Sequence, residues 1–200
     1  MTFEEARVIF IVYFSAFIPL ILFLKNRHKL PSWIPKIYLG SFLICAIGWE
    51  IWFTYGLVDG DSVSMRRSEA LNSWIPLHLN WIVNSMADAG TVCLGGLWIM
   101  WRFSSRDIRI FHSWHWKSFS ILLMWCIGQN LFVELFLYHD QLALGKDLSW
   151  APLIPTGNSF NPLLFQFNGR AVMFQTQLPW VTLPAVLYAS VIYLNKKLKD

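Results

Sequence analysis

Five apolar runs constrain this chain more than anything else in it. Val8–Leu24, Ile37–Gly56, Leu77–Trp101, Phe119–Tyr138 and Leu178–Leu194 hold 17–25 residues each, the length an α-helix needs to cross roughly 30 Å of hydrocarbon. A segment in lipid must satisfy its own backbone polar groups, which only helices and closed barrels do. The alternating pattern of a barrel strand is absent, so these runs read as helices. With 56% apolar and 14% charged residues, the sequence excludes an ordinary soluble domain. The expectation is one all-α integral membrane domain over residues 1–200, a bundle of five transmembrane helices.

Charge then orients the bundle. The first run has Glu4 and Glu5 before it, where a signal peptide would carry bases, and no small-x-small cleavage site after it. Lys25, Arg27, Lys29 and Lys36 follow that run, and Arg102, Arg106, Arg109 and Lys117 follow the third. Lys196 and Lys197 follow the fifth. The segment 57–76 mixes signs, with Asp59, Asp61 and Glu69 beside Arg66 and Arg67. Basic excess in alternate connections predicts an N-terminus outside or lumenal and a cytoplasmic C-terminus, in a bacterial inner membrane or the endoplasmic reticulum. The net charge of +4 follows from those loops and implies no nucleic-acid partner. Trp114 and Trp116 read as an interfacial belt. The long outer connection 139–177 holds Trp150, Phe160, Phe165 and Phe167, and reads equally as a cavity lid or a partly re-entrant segment.

Polar residues inside the runs point to a site. Glu50 and Asp88 lie where a carboxylate costs roughly 2.5 kcal/mol or more, so they belong in a protein interior and mark function. Asn80, Asn84 and Asp88 recur at i, i+4 and i+8, one helical stripe, and Thr91 is expected to continue it. Glu50 and Thr54 share a face, as do Asn130 and Glu134. Gln175 and Gln177 fall near the outer end of the fifth span. Amides of this kind also serve as interhelical glue, roughly 0.6 kcal/mol per bond. Glu134, about four residues from its span's end, is compatible with an interfacial position.

A carboxylic acid in a dry site is a proton donor, and tryptophan faces attract cations. Twelve Trp are present, with Trp49, Trp52, Trp81, Trp98, Trp125 and Trp180 within spans. Acid plus aromatic walls is what proton-initiated carbocation chemistry on an apolar olefin requires. Glu50 and Asp88 are the candidate catalytic residues. Trp49, Trp52, Asn80, Asn84, Glu134, Gln177 and Trp180 are the candidate substrate-binding residues. The histidines lie in loops or at span ends, and His112–His115 lacks further ligands, so neither a metal site nor a cofactor is expected. Cys45, Cys93 and Cys126 lack CxxC spacing and read as small buried apolar residues.

The order of motifs resembles that of EXPERA-domain membrane proteins, the group of the emopamil-binding-protein sterol isomerase and the sigma-2 receptor. The residues that carry it are Gly48-Trp49-Glu50-Ile51-Trp52-Phe53, Asp88 with Thr91, Cys93 and Leu94, the Gly128-Gln129 pair, and Gln177, Trp180, Leu183 and Pro184. The resemblance implies proton relay by Glu50 and Asp88, with Trp180 beside a sterol-like cation. Ala46 stands where the isomerase has a histidine. The Trp49-Glu50 pair is also similar to integral-membrane meroterpenoid cyclases. The expected function is an isomerase or cyclase acting on an isoprenoid or sterol-like lipid. The alternatives are a non-catalytic lipid-binding membrane protein and a small subunit of a larger membrane complex. A homo-oligomer is compatible with either.

Overall fold

A computed structural model describes residues 1–56, 62–137, 162–167 and 170–198. Five helices are long and apolar enough to cross a membrane: α1 (Phe3–Asn26), α2 (Ile34–Tyr55), α5 (Leu77–Phe103), α6 (Trp116–Leu137) and α7 (Phe174–Lys197). Two short helices, α3 (Val63–Arg66) and α4 (Glu69–Trp74), lie between α2 and α5. A hairpin of β1 (Leu163–Phe167) and β2 (Arg170–Met173) leads into α7. The protein is an all-α bundle with almost no sheet.

Each run coincides with one of these helices, most of which begin before it; the second helix stops one residue short of its run, at Tyr55 with Gly56 as its left-handed cap, and Tyr138 lies outside the described residues. The fifth begins at Phe174, so Gln175 and Gln177 sit inside it, buried, and not at a frayed end. Most of the 139–177 connection, with Trp150 and Phe160, lies outside the described residues. Its last part forms the hairpin, where Phe165 and Phe167 stay half exposed on an apolar strand and Phe167 meets the Phe136 ring edge-on.

α5 is the centre of the bundle, packed against α1, α2 and α6, while α7 closes the ring between α6 and α2. Two glycines let α5 approach its neighbours. A Cβ at Gly90 would lie 2.8 Å from Pro19 of α1, and one at Gly96 would lie 2.7 Å from Trp125 of α6. Small residues at such crossings are the membrane route to close packing, because apolar burial drives little association in lipid.

The two ends of the bundle are tied differently. At one end Tyr188 donates to the Ile110 carbonyl at 2.6 Å, Asn195 donates to that of Phe111 at 3.0 Å, and Trp33 stacks on Phe111. The basic loops found above lie at this end. At the other, the Tyr13 hydroxyl donates to the Trp74 carbonyl at 2.6 Å, and Ser68 donates to Glu5.

Candidate functional site

The three acids within the spans share a feature that apolar periodicity hides: each lies in a π-helical turn. Ala46–Glu50 carries Glu50, Asp88–Leu94 carries Asp88, and Val133–Leu137 carries Glu134. A π turn adds a residue to the helical repeat, widens the backbone and is frequent at functional sites. Two of these turns are braced by indoles. Trp81 donates to the Ala46 carbonyl at 2.8 Å, and Trp125 to the Val92 carbonyl at 3.0 Å.

The first group joins α2 to α5. Trp49 donates its indole N–H to Asp88 Oδ2 at 2.8 Å. Glu50, 3% exposed, lies beside Asp88 and the Asn84 side chain of α5. Its Oε2 is buried with no hydrogen-bond partner among the described residues. Asp88 is only partly buried. Glu50 and Asp88 are thus neighbours across α2 and α5, and Trp49 is the side chain that bonds to Asp88. Trp49 meets Trp180 of α7 edge-on at 5.1 Å between centroids.

The two indoles close one end of a cavity of about 230 Å³ between α2 and α7, whose walls include all three cysteines. Cys45 of α2 and Cys93 of α5 are neighbours on this wall. Neither carboxyl lines this cavity. The acids stand one side chain behind it, with Trp49 between.

Above the acids the stripe on α5 continues to the outer end. Asn80 donates to Thr54 Oγ1 at 3.1 Å and accepts from Arg67 Nη1 at 2.8 Å. Arg67 also donates to Asn72 at 2.8 Å and to the Ile75 carbonyl. Burial, with Arg66 alongside, pushes the Arg67 pKa down to about 10, so it stays charged at pH 7. Neighbouring Arg66 donates to the Phe53 carbonyl at 2.6 Å and lies over that ring. Reasoning from sequence missed this anchor. The available signal was two adjacent bases in a connection that the loop charges predict to be the one poor in positive residues.

The other expected site residues divide. Glu134, in the last turn of α6, is buried within the bundle at 5% exposure. It accepts from Gln177, which in turn accepts from Asn130 at 2.9 Å. This second polar group bridges α6 and α7, with Trp180 one turn from Gln177. Trp52 packs beside Phe53 and Val63 and is absent from the cavity wall, so its expected role is not supported. Thr91 leaves the stripe: it donates to the Ser15 carbonyl of α1 at 2.7 Å. The π turn beginning at Asp88 rotates the residues after it. Among the described residues no group of three His, Cys, Asp or Glu is placed to hold a metal ion. Comparison with family models, curated proteins and solved structures gives no match to this chain.

Proposed function

We propose that this protein is a membrane-embedded isomerase or cyclase that protonates an isoprenoid-derived olefin. The observation that carries the reading is Trp49, which holds Asp88 with its N–H while its ring faces Trp180 at the closed end of the cavity. Asp88, the more accessible acid, gives its carboxyl proton to an alkene carbon. An O–H bond breaks, a C–H bond forms, and a tertiary cation results beside the two indole faces, where cation–π attraction is strongest in a dry site. Loss of a proton from a neighbouring carbon to the Asp88 carboxylate restores the acid and leaves a shifted or cyclised alkene. Glu50 behind Asp88 exchanges the proton with it, carboxyl to carboxylate, while Asn84 stands beside Glu50. Because Trp49 stands between acid and cavity, its indole must swing aside, or admit a water, for each transfer. The basic end of the bundle faces the cytoplasm in this reading.

A second reading, a lipid-binding protein without catalysis, draws on the same fact, since the cavity wall contains no carboxyl group. One assay separates the two. Membranes containing the protein are incubated with a lipid extract, and products are followed by mass and retention time. Conversion that falls by roughly 10²–10⁴-fold in both Asp88→Asn and Glu50→Gln supports the enzyme, that being the usual worth of a positioned acid. Full turnover in both variants rejects the proton-transfer site, and a retained lipid of unchanged structure favours the binder.

A further inference from the structure

The shape of the cavity bears on which lipid it takes. One wall runs along α2 from Lys36 to Trp49, and the other along α7 from Leu194 back to Trp180. At 1.5 Å per residue each wall is about 20 Å long. About 230 Å³ spread over that length is a slot one chain wide, below the roughly 300–1,000 Å³ of a compact ligand pocket. An elongated cavity lined along two helices matches an extended chain, which needs length more than volume. Ile44 and Val186 on its rim are 49% and 52% exposed, so the slot opens sideways toward hydrocarbon. A Cβ built on Gly40, in the α2 wall, would meet nothing within 4 Å.

The two ends of the slot differ in chemistry. Trp49 and Trp180 close one end within the membrane. The other reaches the basic end of the bundle, where exposed Lys36 belongs to the slot and Lys196 lies in the last turn of α7. An ammonium on a flexible stem is a point-charge ligand for phosphate.

We propose that the slot binds a linear isoprenoid chain with a terminal phosphate, its phosphate at Lys36 and its chain end at Trp49 and Trp180. The isoprenoid nature of the chain rests on the proton-transfer reading above. Linearity and the anionic end rest on the slot alone. This narrows the expected substrates from sterol-like lipids to open chains.

The test uses the full chain in phosphatidylcholine nanodiscs and radiolabelled geranylgeranyl phosphate. Saturable binding is expected, weaker by about tenfold or more for geranylgeraniol, which lacks the charged contact. Affinity should rise from geranyl through farnesyl to geranylgeranyl phosphate, and cholesterol should not compete. Lys36→Glu should weaken binding of the phosphate and leave the alcohol unaffected. Gly40→Leu should plug the slot and abolish both, while Gly128→Leu, equally unobstructed on the lipid side of α6, should bind as wild type. The chain-length series needs no variant, so it stands if a substitution prevents folding. Competition by cholesterol, affinity independent of chain length, or displacement by excess phosphatidylglycerol would each overturn the assignment. Binding as described by a wild-type protein that converts none of these ligands upholds the slot and counts against the proton-transfer reading.

Discussion

Glu50, Asp88 and Arg67 are the residues whose burial has to be explained, and each is answered by a named neighbour. Asp88 has the Trp49 indole, Glu50 has Asn84, and Arg67 has two side-chain oxygens and a carbonyl. Arg67→Met should cost about 1–3 kcal/mol in thermal stability, because it strands the acceptors of Asn80 and Ile75 in a dry site. Arg67→Lys should recover only part, since an ammonium cannot reproduce the planar fork. Two glycines, one on α5 and one on α6, give a sharper check. Gly96→Ala pushes a methyl against Trp125 and Leu122, and overpacking of this kind costs about 1–3 kcal/mol. The same change at Gly128, where nothing lies within 4 Å, should be neutral or slightly stabilising. Equal melting temperatures for the two variants would contradict the packing described for α5. The acids could be found from sequence because charge in an apolar run is conspicuous. Arg67 was harder, because a base next to a membrane is ordinary until its neighbours are known.

At the scale of the element, the π turns set which side chains meet. Up to Asp88 the α-helical count holds, and Asn80, Asn84 and Asp88 do share a face toward α2. Beyond it the count fails, and Thr91 turns to α1. Periodicity assumes about 100° per residue, so an extra residue in the turn displaces everything after it, and no apolar pattern announces the insertion. Nor does spacing along the chain bring Trp180 to Trp49, or three cysteines on three helices to one wall. Those are properties of helix order around the bundle. The account predicts that deleting Gly48, which removes one residue from the π turn, leaves an inserted protein that has lost the Trp49–Asp88 bond and its turnover. Gly48→Ala keeps the turn, adds a Cβ into open space, and should stay active. Activity in the deletion variant would show that the π geometry is dispensable.

For the whole molecule, five spans follow from lengths and the five helices are present, while the alternation of loop charge predicts a cytoplasmic basic end. With Cys45, Cys93 and Cys126 replaced, Lys29→Cys should react with a membrane-impermeant thiol reagent only from the cytoplasmic side. Met65→Cys, exposed on the outer connection, should react only from the opposite side. The reverse pattern would invert the bundle and put the phosphate end of the slot on the far surface. In the proposed reading, Glu50 and Asp88 act from behind Trp49 and Trp180 at one end of the cavity between α2 and α7. The most direct measurement is turnover in deuterium oxide followed by mass spectrometry of the recovered isoprenoid. Wild type should place deuterium on the former alkene carbon at a rate that Asp88→Asn lowers by roughly 10²-fold or more. Incorporation at the same rate in Asp88→Asn and Glu50→Gln, or a converted product free of deuterium, would contradict proton transfer from these acids.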